Sequence, residues 1–233
     1  MALNALRTRD RRPELMDDPG LDPEIHRQAL AGLARLNRAS RVIQSVERAL
    51  LKRFGDRDIS ILDIAAGSGD LVCGLAERAA LAGRRWSFEA CDISDTACDQ
   101  IGAKADSVGD RVRATRLNVL EDPLPAGHDV VMCHLFLHHL NESEIVAILA
   151  RMRTVARDGV LVTDLVRNRL GYTLAWLASR VLTRSPIVHT DALLSVRGAL
   201  TVDELASLAS DAGMVDARIR KIWPERMMLW CQS

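Results

Sequence analysis

The stretch Ile61–Asp70, ILDIAAGSGD, constrains this chain more than any other. It opens as a short β-branched run, the pattern of a strand buried in a parallel sheet. It ends in a glycine loop, and a helical apolar pattern follows at Leu71, Val72, Leu75, Ala76 and Ala79. Gly67 and Gly69 let the backbone turn tightly and come close to a ligand, because no Cβ stands in the way. Asp92 ends the next strand, WSFEACD, where a carboxylate accepts hydrogen bonds from two ribose hydroxyls. Asp92 could also cap a helix, a task for which Ser94 competes. Strand, glycine loop, helix and a second acidic strand end together point to a bound nucleoside.

Two common nucleotides fit poorly. A dinucleotide fingerprint needs a third glycine where Val72 stands, and a P-loop needs a lysine where Asp70 stands. An anionic Asp70 repels a pyrophosphate but attracts an ammonium or sulfonium group. Adenosine with a cationic tail satisfies both ends, and S-adenosylmethionine is such a molecule.

The remaining periodicities extend the α/β reading. Helical spacing runs from Pro23 to Phe54, as one helix or two joined near Asn37–Ser40, with Asp22 as cap. Further strands are expected at RVRATRLN, HDVVMC and GVLVTDLV, and a helix opens at the capping-box pair Asn141 and Glu144. Thr201 and Glu204 repeat that box before a helix that Gly213 ends. The final strands, DARIRKIW and ERMMLWC, are separated only by Pro224, too short for a crossover, so they pair antiparallel. The expectation is a Rossmann-like, seven-stranded, mostly parallel sheet with an antiparallel last strand. Residues 1–54 form an N-terminal helical cap and 55–233 the cofactor-binding domain, with a lid insertion at about 167–200.

Composition removes several function classes. Acidic and basic residues balance at 31 each, and aromatics are 3%, so neither nucleic acid nor an anionic membrane surface is favoured. No uncharged apolar run reaches the ~18 residues of a membrane span, and the first residues do not read as a secretory signal. Cys73, Cys91, Cys98, Cys133 and Cys231 form no CxxC pattern, as in a reducing, cytoplasmic setting.

From Ile59 to Trp230 the motifs LDIAAGSGD, ACDIS, LNVLEDPLP and LHHL resemble, in order, the class I S-adenosylmethionine-dependent methyltransferases. The likeness is greatest to the small-molecule branch of ubiquinone and menaquinone methyltransferases. This resemblance implies S-adenosylmethionine as cofactor and S-adenosylhomocysteine as product. It implies that Asp63 organises the glycine loop and that Ala65, Gly67 and Gly69 face the cofactor. Asp70 would sit near the methionyl amine, Asp92 on the ribose and Ile93 on adenine, with Asn118 and Val119 on the adenine side and His134 by the methionyl end. Two positions depart from the family: Ala65 replaces a first glycine, and Asn118 replaces an aspartate that accepts from the adenine amine. An Asn carbonyl still accepts.

The segment CHLFLHHL, Cys133–Leu140, follows the fourth strand at the mouth of the sheet. No flanking acid is spaced as in a metal-binding HExxH, and no metal is expected. FLHHLNESEIVAILARM also resembles the corresponding loop and helix of phenol O-methyltransferases, which implies His138, or its neighbour His139, as general base. A phenol with pKa ~10 is a sluggish nucleophile until an imidazole takes its proton. Packing explains both histidines as well.

The insertion carries an apolar stripe at Leu170, Leu174, Leu177 and Val181, which reads either as a lid over an apolar acceptor or as a helix packed on the core. Arg167, Tyr172, Trp176, Asp191 and Arg197 are the candidate acceptor-binding residues, and His189 with Asp191 is a second candidate base pair; a solvated loop explains the polar ones equally. The N-terminal ELMDDPGLDPEIHRQALAGLARLN resembles bacterial methyltransferases associated with type III polyketide synthases, which implies a phenolic or pyrone polyketide acceptor in secondary metabolism. The expected activity is O-methylation of a small aromatic hydroxyl. C-methylation of a quinone-like ring and a non-catalytic S-adenosylmethionine-binding subunit are the alternatives. Expected partners are that small acceptor and a homodimer mate, without nucleic acid or stable membrane association.

Overall fold

In the computed structural model, residues 6–18 and 20–233 are described below. Two helices, α1 (Pro23–Ala39) and α2 (Val42–Phe54), precede the sheet. They are separate helices because Arg41 takes a left-handed conformation, φ 53°, between them. Asp22 caps α1 by accepting from the Glu24 and Ile25 amides.

Strands and helices then alternate: β1 (Ser60–Ile64), α3 (Asp70–Leu81), β2 (Ser87–Asp92), α4 (Asp95–Ala105), β3 (Val112–Arg116) and β4 (Val130–His134). They continue as α5 (Glu142–Val155), β5 (Gly159–Leu165), α6 (Arg169–Leu182), α7 (Pro186–Gly198), α8 (Val202–Asp211), β6 (Arg218–Ile222) and β7 (Arg226–Gln232). The sheet order is β3-β2-β1-β4-β5-β7-β6, with β7 antiparallel to both neighbours. The order reverses between β1 and β4, the crevice in which open α/β sheets bind ligands.

Alternation along the strands builds two cores. Leu62, Ile64, Val131 and Cys133 face α5 and α8, while Ile61, Val130 and Met132 face α2, α3 and α4. Both expected capping boxes form, on α5 and α8.

The insertion is a pair of helices, α6 and α7, packed on each other, with α1 against both. The run VHTDALLSVRGALT lies in α7 as far as Gly198, with Ser185 as the helix cap and Pro186 at its first position, so the solvated-loop alternative for His189, Asp191 and Arg197 does not hold. Gly32 lets α1 approach closely, since a Cβ there would lie 2.5 Å from Thr183 Oγ1. Among the described residues, no helix is long and apolar enough to cross a membrane.

Candidate active site

The glycine loop takes its shape from local conformation and one carboxylate. Ala65, Gly67 and Gly69 all have positive φ, at 52°, 55° and 73°. The Gly67 amide donates to Asp92 Oδ2 at 2.8 Å, tying the loop to the end of β2. Asp92 Oδ1 accepts from the Ser94 amide, and it is the Ser94 side chain, not Asp92, that caps α4. Lys104 of α4 donates to Ser68 O at 2.7 Å and pairs with Asp70 Oδ1 at 2.5 Å.

Behind this loop lies a cavity of about 440 Å³, bounded by Asp63, Ala65, Gly67, Asp70, His134 and Leu135. Asp63 is buried, and its Oδ1 has no hydrogen-bond partner. Burial, and then the neighbouring Asp92 charge, push its pKa up to about 8. An unpartnered buried carboxyl oxygen in a cavity wall suits a ligand ammonium group.

His134 is held at both ring nitrogens. Nδ1 lies 2.7 Å from Thr163 Oγ1, and Nε2 lies 3.2 Å from the Arg226 guanidinium. Because Arg226 can only donate, Nε2 accepts and the proton sits on Nδ1. Burial, then the Arg226 charge, lower the His134 pKa to about 3, so the ring is neutral.

A second cavity, about 500 Å³, adjoins the first, and Leu33, Asn37 and Leu135 border both. One end is polar, with Glu14, His138, His139 and Ser195. The other is an apolar mouth where Leu177, Val181 and Trp223 are largely exposed. His138 sits in the 3-10 turn Leu137–His139 that follows β4, and is 5% exposed. Its Nδ1 donates to Asp164 Oδ1 at 2.7 Å, while Asp164 Oδ2 accepts from the His138 amide. Its Nε2 lies 3.6 Å from Glu14 Oε1. Burial opposes a charged ring here, but the carboxylates of Asp164 and Glu14 outweigh it and push the His138 pKa up to about 10. Burial, together with the His138 charge, lowers His139 to about 4.

The ligand atoms of Glu14, His138 and His139 lie within 4.8 Å of one another. A carboxylate and two imidazoles at that separation are able to hold a divalent cation, a grouping to which sequence spacing gave no pointer.

The other candidate residues are placed elsewhere, and none of the following is in the wall of either cavity. Arg167 is buried and donates to Leu6 O, Ala199 O and both oxygens of Glu204. Asp191 accepts from the Leu15 and Met16 amides, anchoring the N-terminal strap. Arg197 pairs with Asp10, and His189 Nε2 meets Thr183 O. His189 and Asp191 therefore form no acid–base pair in the acceptor cavity. Trp176 lies under the Arg180 guanidinium, and Tyr172 sits in the first turn of α6. Asn118 Oδ1 accepts from the Leu120 amide; Ile93 is exposed and Val119 buried in the core beside α5. Sequence reasoning missed the roles of Glu14, Lys104, Asp164 and Arg226. Asp164 and Arg226 had a signal, since each stands at the sheet end where ligands bind. Glu14 had none.

The sheet order and its helices make the Rossmann-like fold that solved methyltransferase structures share. Residues 61–159 match a family model described as a methyltransferase domain. No curated protein matches the chain by sequence. Among solved structures, magnesium protoporphyrin IX methyltransferase from Synechocystis PCC 6803, with bound S-adenosylhomocysteine, superposes with TM-score 0.60 at 15% identity, over 93% of this chain and 90% of that one. Human N-acetylserotonin methyltransferase, in complex with S-adenosylmethionine, gives TM-score 0.60 at 18% identity over 100% of this chain and 65% of that one. An O-methyltransferase family 2 protein from Planctomyces limnophilus, in complex with apigenin, gives 0.62 at 16%, over 92% and 63%. This chain therefore spans a little under two thirds of the length of the last two.

Proposed function

We propose that this chain is a methyltransferase that uses S-adenosylmethionine to methylate a hydroxyl of a small aromatic acceptor. The observation that carries the reading is the pair of adjoining cavities divided by Leu33, Asn37 and Leu135, with a buried His138–Asp164 pair in the second. The first cavity and its border fit the cofactor: a tight glycine loop and the unpartnered Asp63 oxygen in the wall, the latter for the methionyl ammonium, with Asp92 behind Gly67 at the end of β2 for the ribose. When bound, the cofactor supplies an electrophilic methyl group that needs no further activation.

The protein's part is to orient the acceptor, exclude water and take a proton. Asp164 fixes the His138 tautomer, leaving Nε2 as the nitrogen that meets the acceptor hydroxyl. The ring carries its proton in the free chain, with a pKa of about 10, so it serves as base once Nε2 has given that proton up; taking the hydroxyl proton there then leaves the oxygen its electron pair for attack on the methyl carbon. The flanking N-terminal helices 1–54 and the lid 167–200, with Leu174, Leu177 and Val181 in the acceptor wall, make a dry, apolar site that suits an aromatic ring.

Ala65 in a left-handed conformation, where many relatives carry glycine, supports a place near the quinone-type branch. The N-terminal motif, whose Glu14 and Asp17 line the acceptor cavity, supports a phenolic polyketide as acceptor. Free cysteines, most of them buried, suit a reducing cytoplasmic location.

Incubation with methyl-labelled S-adenosylmethionine and a panel of phenols, naphthols and hydroxypyrones, read by mass spectrometry, tests this. Label in an acceptor with wild type and its loss in H138N is the expected result. Label transfer unaffected by H138N would remove His138 as base, and label in no acceptor would remove the reading itself.

A further inference from the structure

The N-terminal segment lies along the polar end of the acceptor cavity as a strap, with Glu14, Met16 and Asp17 in the wall. Arg9 donates to the carbonyls of Leu137, Leu140 and Gly198, and Arg11 donates to that of His139. Asp191 of α7 accepts from the Leu15 and Met16 amides. This fastening carries Glu14 against the histidine pair, and one ligand atom from each of Glu14, His138 and His139 lies within 4.8 Å of the others.

Each of the three has a partner behind it. His138 Nδ1 is 2.7 Å from Asp164 Oδ1, which leaves Nε2 facing Glu14 Oε1 at 3.6 Å. Glu14 also accepts from Ser195 Oγ, and Asp17 Oδ2 lies 4.0 Å from His139 Nδ1. A carboxylate behind a ligating imidazole fixes its tautomer and raises its basicity, the usual surroundings of a protein-bound metal. The side chains of His138 and Glu14 are only 5% and 10% exposed, so an ion between them is shielded from bulk water. Charge balance is also met, because Glu14 and Asp164 together offset two positive charges. Arg226 donates to His134 and Asn37, and Arg11 to the His139 carbonyl, so both nearby cations are engaged elsewhere.

We propose that Glu14, His138 and His139 form a binding site for a zinc-class divalent cation, which competes there with the acceptor. Two imidazoles and one carboxylate are the donor set that suits Zn²⁺, and three protein ligands leave a fourth position for water on the cavity side. The ion takes the Nε2 lone pair in place of a proton, which passes to solvent. With that lone pair held, nothing is left to take the acceptor's hydroxyl proton. Transfer stops while the cofactor cavity stays open. The uptake of metal stands on the three side chains alone; the inhibition rests on the reading that His138 is the base.

Cysteines are the rival zinc ligands in this chain, and none lies in the wall of the acceptor cavity. The test must therefore tell the two apart.

Calorimetry with ZnCl₂ on the full, reduced chain is expected to show uptake of one Zn²⁺, weakened at least about tenfold in both E14Q and H139N. Circular dichroism checks that each variant is folded, and either one alone decides the point. Co²⁺ in place of Zn²⁺ should give visible bands of a four-coordinate site without the near-ultraviolet band of thiolate ligation. In steady-state assays Zn²⁺ should compete with 1-naphthol and not with S-adenosylmethionine. Measured against each protein's own zinc-free rate, that inhibition should weaken in H139N as much as uptake does. No uptake by wild type, equal uptake by wild type and a folded variant, or a thiolate band overturns the site, whether or not 1-naphthol turns over. Zinc that leaves transfer unchanged, speeds it or competes with S-adenosylmethionine overturns the competition. Full turnover in H138N removes instead the base assignment, and calorimetry still decides the site.

Discussion

Asp164 Oδ1 lies 2.7 Å from His138 Nδ1, and both residues are almost wholly buried, at 2% and 5% exposure. The same carboxylate accepts from the His138 and Leu165 amides, so its orientation is fixed from two sides. In the neutral ring, a carboxylate held this way selects one tautomer, with the lone pair on Nε2. D164N should retain the ring position and lose that selection. We expect kcat to fall by about 10²–10⁴ with little change in cofactor affinity, as steady-state kinetics and calorimetry can show.

The same pair makes stability depend on alkaline pH. His138 binds its proton more tightly in the folded chain, with a pKa of about 10 against an ordinary 6.5. Its contribution is fully present below 6.5 and is lost as pH rises through about 10. The melting temperature should fall across that window, and the fall should shrink in H138N. An identical slope in both proteins would contradict this linkage.

Asp63 gives the cofactor cavity a pH signature of its own. With its pKa near 8, the carboxyl is mostly protonated at pH 7 in the free chain. A cationic ligand at its unpartnered oxygen favours the ionised form, so binding at pH 7 should release a proton. Affinity should rise with pH up to about 8 and level off above it. Calorimetry in buffers of different ionisation enthalpy would detect the released proton, which D63N should abolish.

The strap depends on Asp191. Its carboxylate is the acceptor for both the Leu15 and Met16 amides. D191A leaves those donors without a protein partner and should cost roughly 1–2 kcal/mol, on the scale of a lost helix cap. Trypsin should then cut faster after Arg11. An unchanged cutting rate would mean that the bonds made by Arg9, Arg11 and Arg197 fix the strap without Asp191.

The apolar mouth can be tested without disturbing the cofactor. Val181 is 71% exposed and still part of the acceptor wall. V181D should raise KM for an aromatic acceptor several-fold, through lost apolar contact, and leave S-adenosylmethionine affinity unchanged. Both parameters moving together would place the change in the wrong cavity.

The architecture and the cofactor side were legible in the sequence because both are local. The glycine loop, its strand and its helix lie within twenty-odd residues, and positive φ at Ala65, Gly67 and Gly69 follows from the turn they must make. Asp92 is reached by counting to the next strand end. Both capping boxes and the antiparallel last strand follow from patterns a few residues long. His138 was legible as a candidate because a strand end carries it to the mouth of the sheet.

The surroundings that give His138 its chemistry belong to the tertiary structure alone. Glu14 and His138 are 124 residues apart, and His138 and Asp164 are 26 apart, joined only when the strap and β5 pack against the same turn. No periodicity encodes that meeting. Arg167, Asp191 and Arg197 show the reverse side of this. Their charges suggested acceptor binding, but the fold uses them to fasten α8, the strap and α7, because buried backbone and carboxylate groups must find partners. Local pattern determined the sheet and its loop, since those interactions are short in sequence. Long-range packing decided which charges reach the cavity, since burial and partnership are properties of the assembled chain.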